Sequence, residues 1–224
     1  MRAWIAILVV FAITLPAHAQ KTISFPTEDG GVIFADLYGR GTNAVVLAHG
    51  GQFNKESWAP QARTLVSAGF LVLALDFRSF GNSRGPGEPD PLSAPLHLDV
   101  LAAVHYLRQH GAKTISVVGA SMGGGAAGDA SITAPPGTID RLVFLGYAPN
   151  LPAAGLQSPS LFIVARDDAS GDGPRLPWIR KQYDQAPQPK QLIVLDGSAH
   201  AQFLFQTDQG SRVMREILRF LPKN

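Results

Sequence analysis

A β-branched run, Thr114-Ile-Ser-Val-Val118, passes directly into Gly119-Ala-Ser-Met-Gly-Gly-Gly125 and then into Ala126-Ala-Gly-Asp-Ala130. A buried strand joined this closely to a helix-compatible stretch leaves room for one abrupt turn, with Ser121 at its apex. Side chains two positions before and two after the apex would collide with the neighbouring strand or helix. Those positions are Gly119 and Gly123. A serine held in such a turn has its hydroxyl pushed clear of the sheet, and the NH of Met122 points where an oxyanion could sit. These are the requirements of nucleophilic acyl transfer. A glycine-rich helix start arising by chance would match the spacing, but it would need neither the strand before it nor partners after it.

The rest of the chain supplies further strands of the same kind. Asn43-Ala-Val-Val-Leu-Ala48, Phe70-Leu-Val-Leu-Ala-Leu75, Arg141-Leu-Val-Phe-Leu145, Ser160-Leu-Phe-Ile-Val-Ala165 and Gln191-Leu-Ile-Val-Leu195 are apolar without alternation. Strands covered by helices on both faces read this way. The spacing predicts helices over 58–68, 96–110, 174–186 and 202–221, between and after these strands. The first two runs differ. Thr22–Phe25 and Val32–Tyr38 alternate around the turn cluster Glu28-Asp-Gly-Gly31, which predicts an antiparallel hairpin. Strands and helices that alternate nearly throughout imply one α/β domain, doubly wound around a mostly parallel sheet.

Composition narrows the setting. Met1-Arg2, an apolar run from Ala3 to Leu15, and then Pro16-Ala-His-Ala19 together make a secretory leader, with cleavage expected after Ala19. The run is short for a membrane span, so the competing reading of an uncleaved anchor is the weaker one. Residues 20–224 then form a single exported domain, periplasmic or extracellular, without stable membrane insertion after cleavage. The 19 basic and 17 acidic residues nearly balance, which argues against a nucleic-acid surface. With no cysteine, neither disulfides nor thiolate metal sites contribute to the fold. H-E-x-x-H and glycine-rich dinucleotide loops are also absent from the sequence, so no metal or organic cofactor is expected.

A serine hydroxyl needs a base to take its proton as it attacks. His49, His97, His105, His110 and His200 remain beyond the leader, and only His200 follows Ser121. It lies in Asp196-Gly-Ser-Ala-His200, a loop leaving the last strand, and so reaches the carboxyl edge of the sheet where ligands of open parallel sheets bind. His97, His105 and His110 read as structural or solvated, and His49 as a support for the loop His49-Gly-Gly-Gln52. The imidazole in turn needs an acid. Asp167-Asp168 ends the strand Leu161–Ala165 on the same edge, and Asp168 is preferred because it begins the loop toward His200. Asp172 and Asp196 are weaker candidates. Besides Met122, the oxyanion donors expected are the amides of Gly51 or Gln52.

These residues together resemble the α/β-hydrolase family over nearly all of residues 20–224. His49-Gly-Gly51 is similar to its oxyanion loop, Asp76-Phe-Arg-Ser-Phe-Gly-Asn-Ser83 to its D-x-R-G-x-G-x-S segment, and Gly119-Ala-Ser-Met-Gly123 to its nucleophile elbow. Ala165-Arg-Asp-Asp168 resembles the G-x-x-D that carries the acid, which again favours Asp168. Ser79 and Ala165 stand where the family has glycine. The resemblance implies a central sheet of about eight strands with helices on both faces. It also implies a Ser121, Asp168, His200 triad acting on a small-molecule ester through an acyl-enzyme. The interval from Gly146 to Ser160 is too short for a helical cap, so an open site like that of compact carboxylesterases and dienelactone-hydrolase-like proteins is expected. Thioester, lactone or amide cleavage by the same residues is the alternative reaction, and a non-catalytic binding protein that keeps the fold is the alternative class.

Overall fold

In the computed structural model, residues 20–87, 90 and 93–222 are described; the expected leader, residues 1–19, lies outside the described residues. The chain opens with an antiparallel hairpin, β1 (Lys21–Pro26) and β2 (Val32–Tyr38), in which Thr22 faces Asp36 and Phe25 faces Ile33. β3 (Asn43–Ala48) and β4 (Leu71–Leu75) flank α1 (Ala59–Ser67), and α2 (Leu96–Gln109) leads into β5 (Thr114–Ala120). α3 (Met122–Thr133) starts without a linker after the serine, and β6 (Arg141–Leu145) and β7 (Ser160–Ala165) follow it. A small hairpin of β8 (Ala169–Ser170) and β9 (Gly173–Pro174) precedes α4 (Arg175–Gln185), β10 (Lys190–Leu195) and α5 (Gly210–Phe220).

Eight strands form one sheet in the order β1-β2-β4-β3-β5-β6-β7-β10. The pairings of β1 with β2 and β2 with β4 are antiparallel, and the rest are parallel. The parallel strands show why their sequences do not alternate. Val46, Ala48, Leu73, Val117 and Phe144 pack toward the core that includes Val104, Ala127 and Ile179 of α2, α3 and α4. Val45, Leu47, Val72, Val118 and Val143 pack on the other face against Trp58, Leu65, Val213 and Ile217, which lie on or beside α1 and α5. Both faces are therefore dry, and every position from Ala44 to Ala48 is buried. Between β6 and β7 the only helical element is a single turn, Ala153–Gly155, so no cap sits there. Among the described residues no helix is long and apolar enough to cross a membrane.

One expected helix is interrupted. The stretch from Gln202 to Leu221 is a 3-10 turn, Ala201–Gln206, followed by a break and then α5. Thr207 is extended, and its hydroxyl donates to the Leu204 carbonyl at 2.8 Å. A Cβ on Gly210 would come within 2.6 Å of the Phe205 carbonyl oxygen, so glycine permits the sharp return into α5.

Candidate active site

The parallel strands β3, β5, β7 and β10 all deliver their carboxyl ends to one edge, and the candidate residues follow directly from those ends. Ser121 is held at φ 49° and ψ −117°, a backbone conformation that side-chain-bearing residues rarely adopt. The glycines on either side make this possible. A Cβ on Gly119 would lie 2.3 Å from the Gly123 carbonyl oxygen, and one on Gly123 would lie 2.3 Å from that of Ala48. The collisions expected from the sequence are thus with α3 in one case and β3 in the other.

The structure brings Ser121, His200 and Asp168 together. His200 Nε2 is 2.7 Å from Ser121 Oγ, and His200 Nδ1 is 2.7 Å from Asp168 Oδ2. Asp168 is fully buried, whereas Asp167 is exposed. The Asp167 amide donates to the Gly197 carbonyl at 3.0 Å, which pins the strand end while the next residue turns inward. Asp196 is exposed beside Arg166, and Asp172 lies in the exposed turn of the β8–β9 hairpin. Gly146, with φ 63°, gives the histidine loop its room: a Cβ there would stand 2.7 Å from Ala201 N and 3.1 Å from His200 Nδ1.

The loop after β3 is secured from below and from the side. His49 is buried, its Nδ1–H donates to the Gly50 carbonyl at 2.8 Å, and its Nε2 accepts from the Phe77 amide at 3.3 Å. Burial holds the imidazole below the usual histidine range, outweighing the nearby Asp76 carboxylate. This neutral tautomer makes His49 a support for the loop. Asp76 is itself buried, accepting from the Lys55 amide at 2.8 Å and facing Lys55 Nζ at 3.0 Å. Ser79, at φ 70°, takes the left-handed conformation that glycine would adopt more easily.

Gln202 closes the loop from the other side. Its Oε1 accepts from the Gly50 amide at 2.8 Å, and its Nε2 donates to Ser57 Oγ at 2.9 Å. The Gly50 amide is thereby committed. Among the described residues, the amides of Gly51, Gln52 and Met122 make no hydrogen bond to protein. Gly51 stands beside Met122, with its Cβ position 3.9 Å from Met122 Sδ. The three expected oxyanion donors are therefore uncommitted.

A cavity of about 290 Å³ adjoins Ser121 and Met122. Its polar wall comes from His97, Asp129, Tyr147, Asn150 and Arg175. His97, which the sequence suggested was structural or solvated, is thus a wall residue. Asp129 lies within α3 on the face that also carries Met122 and Ala126, Arg175 begins α4, and Tyr147 and Asn150 lie in the loop after β6; the last three have no spacing that relates them to Ser121. Arg175 comes back to the site because the β8–β9 hairpin reverses the chain after Asp168, and the Arg175 amide donates to the Asp168 carbonyl at 2.9 Å. Its Nε lies 3.3 Å from Asp168 Oδ1.

A half-buried serine at the turn between a buried strand and a helix, with histidine and aspartate loops on the same sheet edge, defines the class of architecture, and comparison with known proteins agrees. Residues 43–221 match the family described as the alpha/beta hydrolase fold, and the chain belongs to that family. An esterase from Pyrococcus furiosus shares the fold at TM-score 0.74 and 20% identity, covering 92% of this chain and 94% of that one. A dienelactone hydrolase from Anabaena variabilis does so at TM-score 0.73 and 21% identity, covering 91% and 97%. For an esterase from Exiguobacterium antarcticum the values are 0.71, 14%, 89% and 99%. At these identities the likeness is one of fold.

Proposed function

We propose that the protein is a serine hydrolase that cleaves carboxylic esters of small molecules through an acyl-enzyme. The observation that carries this reading is the continuous hydrogen-bonded line Ser121 Oγ, His200 Nε2, His200 Nδ1, Asp168 Oδ2, with both links at 2.7 Å. In the proposed reaction Ser121 Oγ attacks the ester carbonyl carbon while His200 Nε2 accepts the serine proton. Asp168 holds Nδ1 protonated and stabilises the imidazolium that results. The carbonyl oxygen becomes an oxyanion, received by the amide of Met122 and that of Gly51 or Gln52. Each such donor contributes on the order of a hundred- to a thousandfold in rate. His200 then gives its proton to the leaving alcohol oxygen. Water repeats the sequence on the acyl-enzyme, releasing the acid and restoring the serine. Esterases among the similar folds make carboxylic esters the first substrates to try.

Hydrolysis of p-nitrophenyl esters from acetate to palmitate, with Ser121→Ala as the blank, tests this. Activity that disappears in the variant is expected, with short acyl chains preferred by the small polar cavity. Equal rates for both proteins would refute the serine mechanism.

A further inference from the structure

We propose that Arg175 makes the cavity beside Ser121 a subsite for an acyl group that carries a carboxylate. The inference rests on the ester-hydrolase reading and names the substrate class for it. Arg175 is the only arginine or lysine among the residues described as lining the cavity. Its side chain is about three-quarters buried, at 23% exposure. Nε is sealed from solvent and close to Asp168 Oδ1 but not aligned for a hydrogen bond, and Nη1 and Nη2 have no protein partner among the described residues. A partly desolvated guanidinium whose terminal nitrogens make no bond within the described chain is open to a ligand. Its planar fork matches a carboxylate with two parallel hydrogen bonds.

The carboxylate oxygens near the cavity face partners within the chain. Asp129 accepts from Asn150 Nδ2 at 2.8 Å and from the Leu151 amide at 2.9 Å, so both of its oxygens are used within the chain. Asp168 gives one oxygen to His200 and turns the other toward Arg175 Nε. The strongest uncommitted donor set in the cavity is therefore the end of the Arg175 fork. The side of the scissile bond also follows. The leaving oxygen must lie against His200, which protonates it, while the described cavity wall includes Ser121 and Met122 and not His200. The cavity thus receives the acyl part.

Three matched substrates test the proposal: p-nitrophenyl hydrogen adipate, its methyl ester, and the p-nitrophenyl ester of an ω-trimethylammonio-hexanoic acid. The wild-type protein should favour the carboxylate over its methyl ester by about tenfold or more in kcat/KM, chiefly through KM. Arg175→Met should abolish that preference while still hydrolysing the neutral ester, and Arg175→Lys should retain part of it. Because the readout is a ratio, any effect of Arg175 on Asp168 cancels between substrates. A wild-type protein that hydrolyses all three esters without preferring the carboxylate would overturn the subsite, as would a preference that survives Arg175→Met. Selectivity for the trimethylammonium ester would overturn it too and assign the cavity to Asp129. Failure of the ester-hydrolase reading would look different, with no Ser121-dependent release from any of the three.

Discussion

Asp167 and Asp168 are neighbours in the chain with opposite surroundings. The first is exposed at the strand end, and the second is buried with a carboxylate oxygen 2.7 Å from the imidazole. Asp168→Asn should therefore lower kcat/KM by about a thousandfold or more, because the amide disrupts the tautomer that the serine requires. Asp167→Asn should leave it within about twofold, as for an ordinary surface substitution. Steady-state kinetics on one p-nitrophenyl ester decide the matter, and equal losses would remove Asp168 from its role. Ser121, Asp168 and His200 were legible in the sequence because each follows a recognisable buried strand, and parallel strands bring their carboxyl ends to one edge. Arg175 was not, since nothing in its spacing shows that a two-strand hairpin returns it to Asp168. Nor was the part played by His97, because a histidine near a helix start looks the same whether it meets a cavity or solvent.

At the level of elements, the site depends on two loops being held against each other. Gln202 joins them, accepting from Gly50 in the loop after β3 while sitting two residues beyond His200. Ala201, at φ 52°, turns the chain so that His200 and Gln202 both face inward. Gln202→Leu removes both hydrogen bonds and should lower kcat on the order of a hundredfold with little change in KM, since the loss is in alignment and not in ground-state binding. Gln202→Glu keeps an acceptor for the Gly50 amide and should recover part of the rate. An unchanged kcat in folded Gln202→Leu would show that the link is merely structural. The same region explains a misread element. Apolar periodicity continues from Gln202 to Leu221, but the Thr207 hydroxyl and the tight packing of Gly210 break the helix between them. Side-chain hydrogen bonds to local backbone compete with helix in a way that periodicity does not register.

For the molecule as a whole, the mostly parallel sheet and its two dry faces were legible from unbroken apolar runs, whereas the order of the strands and the polar ties across the fold were not. Arg78 is the clearest case. Its guanidinium is buried, donating to Asp99 of α2 at 2.7 Å and to Asp29 of the β1–β2 turn at 2.6 Å. It thereby fastens the amino-terminal hairpin to the helical layer. The Arg78 hydrogen bonds hold the Asp29 carboxyl down from 3.8 to about 2. A carboxylate whose folded value is depressed contributes stability that is fully present above its unfolded value and is lost as pH falls toward the folded one. Stability from this tie should therefore decline between about pH 4 and pH 2. Burial pushes the Asp99 carboxyl upward and acts in the opposite sense, so Asp29→Asn is the comparison that isolates the effect. Urea unfolding across that range should show a steeper acid loss for the wild-type protein than for Asp29→Asn, and parallel curves would contradict the assignment.

The central claim is that Ser121 is an activated nucleophile, and reaction of the folded protein with a fluorophosphonate, read by intact mass and peptide mapping, tests it most directly. One adduct per chain, located on Ser121 and absent from both Ser121→Ala and the urea-unfolded protein, is the predicted result. Folded protein that takes up no label, or takes it up at another residue, would contradict the account and leave the hydrolase fold as a scaffold for binding.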